Sequence, residues 1–296
     1  MRIGQLRDSI VGRGLSNIPN APVLPYVGAV RYLREDPVRW LYAWFRELGD
    51  VYQFSVGAER HVIVSSPELV EQILKGNYND WRKNDFYDPL KLMLGSGLLT
   101  SEGQQWHTFR RLAQPAFHRQ RLARYVDDMA TTTQTHLDSW AAGPETLDVS
   151  YEFMSLTLAV IARLMFGTDL RDEVQVVGTS LATMLEYVQV RSTTPVKLPL
   201  SWPTPRNRRA RHAVRQCHDI IDRIVAQRQA TKAPTSDLLE LLTSARDKDT
   251  GEGLTPTELR DQAITILMAG HETTALTLGW CIELLARHPG AQARLE

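Results

Sequence analysis

Thr255-Pro256-Thr257-Glu258 begins the stretch that decides the fold, and Ala269-Gly270-His271-Glu272-Thr273-Thr274-Ala275 lies at its centre. The first four residues carry a helix start: Thr at the N-cap, Pro at the first helical position and Glu three residues after the cap. Arg287 and His288, followed by Pro289-Gly290, carry the stop. Between these signals the spacing predicts a helix of about 48 Å, at about 1.5 Å per residue. Its flanks are apolar: Ile264, Ile266, Leu267 and Met268 before the centre, and Leu276, Leu278, Trp280, Ile282, Leu284 and Leu285 after it. A helix apolar nearly all round is expected to be buried. Ionisable groups at the centre argue against a membrane span over 263–285.

The centre holds chemistry that a core helix does not need. A buried Glu272 must be paired, hydrated or neutral. Gly270 has no side chain, so something flat can lie against the backbone there. Thr273 can hydrogen-bond the carbonyl of Ala269, loosen the helix and leave room for water or a diatomic ligand. A hydroxyl beside a carboxylate suits proton delivery. A helix crossing with a tolerated polar cluster explains the same seven residues equally well. A zinc-protease reading fails, because the second His of H-E-x-x-H falls on Ala275.

Outward from this helix, the chain of 296 residues balances 34 basic against 34 acidic side chains. Zero net charge gives no reason to expect nucleic acid or an acidic partner. An apolar share of 43% supports a sizeable core. Two cysteines, Cys217 and Cys281, make no disulfide framework and point to a reducing cytoplasm. The first residues, Met1 to Asp8, show no apolar signal or anchor, so a soluble protein is expected.

Pro19, Pro22 and Pro25 suit an extended arm. Asp36-Pro37 starts a helix that ends at Gly49. Residues 51–56 and 61–64 read as two strands joined through Gly57 and Ala58. Ser66-Pro67 caps a helix that stops at Gly76. Residues 77–102 read as a long loop rich in apolar side chains, among them Phe86, Tyr87, Leu98 and Leu99, and such loops often line binding sites. Helices follow near 103–114, 119–141, 150–166, 171–191, 206–230, 236–246 and 256–287. Another begins at Ala291 and reaches Glu296. The basic run Arg206, Arg208, Arg209, Arg211 and Arg215 reads as a solvated helix face. No break in composition marks a boundary, so residues 1–296 are expected to form one domain, mainly α with a small β-hairpin.

Trp106 and Arg110 are four apart and share a helix face, with His107 adjacent. An indole N–H beside a guanidinium is a donor set for a carboxylate or phosphate. Taken alone, the pair reads as a Trp–Arg stacking contact on an amphipathic helix.

Together the two stretches, in this order, resemble the cytochrome P450 haem-thiolate monooxygenases. The pattern W-x-x-x-R stands as Trp106…Arg110 followed by Pro115-Ala116-Phe117, and the central pattern as Ala269 to Thr274. The resemblance covers roughly residues 20 to 296 and implies the fold of that family and haem b (iron protoporphyrin IX) as cofactor. It implies that Trp106, Arg110 and His107 hold a haem propionate, that Ala269 and Gly270 lie against its oxygen-binding face, and that Leu98 sits over it. Thr273 and Glu272 are then the catalytic proton relay, and Leu99, Phe86, Tyr87, Leu267 and Met268 line the substrate pocket. Arg111 and Arg119 are candidates for a basic face toward an electron donor. The implied reaction inserts one oxygen atom of O2 into an apolar small molecule. Its electrons come from NAD(P)H through a ferredoxin or flavoprotein reductase, and no membrane span is needed. The surrounding sequence looks most like the fatty-acid or terpenoid hydroxylating branches.

Two family patterns have no match. Neither Cys217 nor Cys281 stands in an F-x-x-G-x-x-x-C-x-G context, and Glu283 and Arg287 have one residue too many between them for E-x-x-R. The sequence resembles the front two-thirds of such an enzyme, with the cysteine ligand expected beyond Glu296. Thiolate ligation favours O–O cleavage, so the 296 residues alone are expected to be inactive. A helical module that binds an apolar ligand without chemistry, or an inactive fragment, is the alternative.

Overall fold

The structure is a computed structural model, and it describes residues 18–24, 28–57, 59–76, 81–83, 87–141, 146–167, 171–193, 198–231 and 237–295. Chain contacts divide it into two compact units, residues 1–84 and 85–296.

In the first unit an arm around Pro19 pairs with the sheet: Gln53 donates its backbone N–H to the Pro19 carbonyl (2.9 Å), and Ala21 donates to the Gln53 carbonyl (2.8 Å). A short helix α1 (Val30–Glu35) follows, unanticipated from sequence, and then α2 (Pro37–Leu48). Asp36 caps α2 by accepting the Arg39 N–H at 3.0 Å. Strands β1 (Val51–Val56) and β2 (Glu59–Val64) pair antiparallel, with Val51 opposite Val64 and Val56 opposite Glu59. Gly57 turns the chain at a positive φ of 59°. Helix α3 (Pro67–Lys75) starts on the Ser66 hydroxyl, which accepts the Leu69 N–H. Trp44, Tyr52 and Phe54 form the small core, and the Tyr52 hydroxyl donates to the Leu41 carbonyl at 2.9 Å. Buried aromatics that keep a partner for their polar end are the usual economy of such a core.

The second unit is helical. The stretch read as a loop over 77–102 contains α4 (Asp88–Leu94), which buries Met93 and Leu94. The seven residues Asp88–Leu94 are too few to display a 3.6-residue period, so the loop expectation is corrected there. Then come α5 (Gly103–Ala113), a 3₁₀ turn (Gln114–Phe117), α6 (Arg119–Ala141), α7 (Val149–Phe166), α8 (Arg171–Thr193), α9 (Pro205–Thr231) and α10 (Leu238–Ser244). The long helix α11 (Pro256–Arg287) and a last helix α12 (Pro289–Leu295) complete the unit. The capping box at Thr255 and Glu258 is formed in both directions. Asp148 and the left-handed Gly167 delimit α7.

Helix α7 runs along α11, and α9 along α8. The main core gathers Met165, Phe166, Leu181, Met184, Ile221 and Ile264 from these four helices. By length and composition α7 passes for a membrane span, yet eight of its residues are buried against its neighbours, which suits a core helix. Of the basic run on α9, Arg206, Arg208, Arg209 and Arg215 are exposed as expected, and Arg211 is half-buried.

The expectation that α11 is buried throughout is corrected. In its first half every residue from Leu259 to Met268 is buried except Arg260 and Ile266, which are half-buried. In its second half Leu276, Trp280, Ile282 and Leu284 are exposed, Trp280 by 67%. Helix α6 shows a similar stripe, with Leu122, Val126, Met129 and Leu137 exposed at helical spacing. Apolar stripes left open to this extent are surfaces for something to cover.

Candidate functional site

The site grows from the middle of α11. Ile266, Ala269, Thr273 and Thr277 recur at helical spacing on one stripe; Ile266 is half-buried and the other three are exposed. The Thr273 hydroxyl donates to the Ala269 carbonyl at 2.7 Å, as anticipated, and Thr277 repeats the bond to the Thr273 carbonyl at 2.7 Å. Such back-bonds compete with the helix's own N–H donors for the same carbonyls. The helix nevertheless continues through the site.

Glu272 is half-buried, and among the described residues it has neither a hydrogen-bond partner nor a cation. Burial raises its carboxyl above the usual range. Of the states allowed by sequence reasoning, pairing with a described residue is thereby excluded. Its neighbour His271 faces inward and is 5% exposed. Its ring hydrogen-bonds the Met154 backbone, and burial lowers its pKa. The Thr157 hydroxyl on α7 lies 2.8 Å from the Phe153 carbonyl and 2.9 Å from the His271 carbonyl, which ties the two helices together just before Glu272.

Gly270 is half-buried, and a Cβ there would stand 3.1 Å from Ile161 of α7. Close packing of two helices thus explains the glycine, and only its backbone is left to meet a flat ligand. Leu267 and Met268, 2% and 6% exposed, sit in the main core.

The loop before α5 is fixed to the first half of α11. The Asp261 carboxylate accepts the Ser96 N–H at 2.8 Å, and the Gln262 side-chain carbonyl accepts the Leu98 N–H at 2.9 Å. Leu98 is half-buried and Leu99 is 39% exposed. Tyr87, at the start of α4, is half-buried, and Phe86 lies outside the described residues. Sequence reading missed Asp261, Gln262 and Ile266. The hint was available at the first two: polar side chains on an otherwise apolar helix demand partners.

On α5, the Arg110 guanidinium carbon lies 5.2 Å from the centre of the Trp106 ring, and His107 meets that ring edge-on at 5.1 Å. Arg110 is exposed and has no acidic partner among the described residues. An unpaired guanidinium stacked beside an indole suits a carboxylate. Arg111, by contrast, is committed: it pairs with the buried Asp247 at 2.7 Å and with Asp249 at 3.0 Å. Arg111 is nevertheless exposed at the surface. Arg119 is exposed.

Cys217 is buried beside Ser180, its thiol pushed up to about 11 by burial, and Cys281 is exposed. Among the described residues no group of three or more His, Cys, Asp or Glu side chains is gathered to hold a metal. Glu283 and Arg287 form an ion pair one turn apart on α11, an ordinary surface contact.

Comparison with known proteins matches the family model described as Cytochrome P450 to residues 18–296. Among similar proteins, cyclooctat-9-en-7-ol 5-monooxygenase of Streptomyces melanosporofaciens is 33% identical over 275 residues, covering 92% of this chain and 59% of that protein. Pentalenene oxygenase of Streptomyces avermitilis is 31% identical, covering 92% of this chain and 60% of that protein. Cytochrome P450 97B2, chloroplastic, of Glycine max is 29% identical, covering 98% and 54%. The chain thus spans between 54% and 60% of the length of these curated relatives.

Proposed function

The chain belongs to the cytochrome P450 family, and on that premise we propose that it is the α-helical front part of a haem-dependent monooxygenase acting on an apolar substrate of terpenoid type. Members of the family bind haem b, and the residues present suit it. Arg110 and Trp106 offer donors for a propionate, with His107 beside them. Ala269 and the Gly270 backbone offer a low surface for a flat ring. When bound, haem supplies the activation of dioxygen and the transfer of one of its atoms.

The single observation that carries the reading is the pair at the centre of α11. The Thr273 hydroxyl is oriented by its 2.7 Å bond to Ala269, and beside it stands a half-buried Glu272 with a raised carboxyl. A hydroxyl whose own proton is committed to the Ala269 carbonyl accepts a hydrogen bond from a water and so orients it, and a carboxyl raised by burial holds a proton that it can pass to that water. Leu98 and Leu99 bound the space for substrate, and Ile266 joins them from the same stripe as Thr273. Tyr87 is a looser member of that lining, and Leu267 and Met268, buried in the core, act through packing.

The terpenoid class is supported by the activities for which the Streptomyces relatives are named. Electrons from NAD(P)H through a ferredoxin or flavoprotein reductase follow from the family's chemistry. The free thiols of Cys217 and Cys281 support a reducing cytoplasm. The exposed stripes on α6 and α11, and the greater length of the relatives, support the view that further family-length chain completes the enzyme. In the same reading these 296 residues, which hold no cysteine in a haem-ligand context, bind haem weakly or not at all on their own.

The test is to express the protein from its full gene and from the 296 codons separately. The full gene product is expected to carry stoichiometric haem with a thiolate-type spectrum of the reduced carbon monoxide complex, and the 296-residue chain is not. Stoichiometric thiolate-ligated haem in the short chain would overturn the assignment of the ligand to a further segment.

A further inference from the structure

The segment Gly95–Thr100 is held twice over. Internally, Thr100 accepts the Gly97 N–H at 3.0 Å and donates to the Gly95 carbonyl at 2.6 Å. Externally, Asp261 and Gln262 accept the N–H groups of Ser96 and Leu98 across more than 160 residues of sequence. The fit is close. A Cβ on Gly95 would stand on the Asp261 carboxylate, and one on Gly97 would stand on the Thr265 hydroxyl. Gly95 also has a positive φ of 70°, which favours glycine. Asp261 and Gln262 are 5% and 1% exposed; one oxygen of Asp261 accepts from the loop while the other lies 3.8 Å from the Arg260 guanidinium. Backbone N–H groups bonded to buried side chains fix a loop far more tightly than apolar contact does, because leaving such an acceptor empty costs its full desolvation.

We propose that Asp261 and Gln262 are positioning residues that lock Leu98 and Leu99 at one distance from the α11 stripe and thereby set the length of apolar substrate that is admitted. This rests on the reading of that stripe as the haem and substrate face. The loop anchor itself does not depend on it. The two side chains act through the loop backbone and touch no reacting atom.

The experiment uses the full-length haem-loaded protein and the variants Gln262→Leu, Gln262→Glu, Asp261→Ala and Asp261→Asn. Amide hydrogen exchange at Ser96 and Leu98 is read first. Gln262→Leu and Asp261→Ala are expected to speed exchange at these amides by about tenfold or more. Gln262→Glu and Asp261→Asn keep an acceptor and are expected to restore protection. The second readout is the Soret shift on titration with n-alkylimidazoles of increasing chain length. The wild type is expected to prefer one length, and Gln262→Leu to flatten that preference by about tenfold, with Gln262→Glu restoring it. Unchanged exchange in Gln262→Leu and Asp261→Ala would overturn the anchor. Altered exchange with intact length preference would overturn the specificity role. No Soret response in the wild type would overturn the reading of the α11 stripe as the haem and substrate face, and the specificity role with it, while faster exchange in the variants would still support the anchor.

Discussion

The Thr157 hydroxyl of α7 lies 2.9 Å from the carbonyl oxygen of His271 in α11, the residue immediately before Glu272. His271 returns the contact by bonding the Met154 backbone. The centre of α11 is therefore held from behind by two polar contacts, while Ala269 and Thr273 are exposed. Replacing Thr157 with Val keeps shape and removes the donor. It is expected to cost about 1 kcal/mol of stability, with Thr157→Ser close to wild type. Urea unfolding midpoints at unchanged slope are the check. An unchanged midpoint in Thr157→Val would show that the contact stabilises nothing.

Gly270 leads to a packing test. Its Cβ slot is filled by Ile161. Gly270→Val is expected to destabilise by about 2 kcal/mol through overpacking of the helix crossing. Ile161→Ala should recover part of that loss in the double variant, as residues in contact are non-additive. Additive losses would place the clash elsewhere.

Glu272 sets a pH dependence with a definite sign. Its folded carboxyl is raised above the unfolded one by burial. The folded chain therefore keeps this proton to higher pH than the unfolded chain does. Stability from this group is intact in acid, falls as pH rises above the ordinary carboxylate range, and leaves a standing penalty at neutral pH. Glu272→Gln is expected to raise the melting temperature at neutral pH and to lose that advantage in acid. An equal shift at both pH values would contradict the burial of an ionisable carboxyl.

Asp247 has the opposite sign. Its carboxyl is held low, first by the hydrogen bond from Arg111 and then by the Asp249 N–H. Its contribution is present above the ordinary carboxylate pKa and is lost as pH falls through the lower folded value. Asp247→Asn is expected to be less stable than wild type at neutral pH and to converge with it in acid. A constant gap across the titration would remove the charge pair from the account.

The parts of the fold that were legible in sequence are those whose signals are local. Asp36, Ser66 and Thr255 cap the helices they were read to cap, because a side-chain acceptor three residues ahead of an N–H is a local event. The long helices of the second unit begin and end within about two residues of expectation, since three or more turns display their period. Helix α4 did not, with only seven residues. The exposure of Trp280 and Leu284 was hidden for another reason: an apolar stripe in sequence says that a face is to be covered, not by which residues. At the site, the Thr273–Ala269 bond was legible because it spans one turn. The Asp261–Ser96 and Gln262–Leu98 bonds were not, because each joins residues more than 160 positions apart. The ion pairs of Arg111 were not legible for the same reason: its partners, Asp247 and Asp249, lie far along the chain.

The central claim is that Thr273, with Glu272 behind it, delivers protons during oxygen activation. The most direct measurement is product formed per dioxygen consumed by Thr273→Ala in the full-length enzyme, with its own electron donor and a terpenoid substrate. The variant is expected to bind haem and substrate as wild type does, yet to form about tenfold less product per dioxygen. A ratio equal to that of wild type would contradict the proton role assigned to the centre of α11.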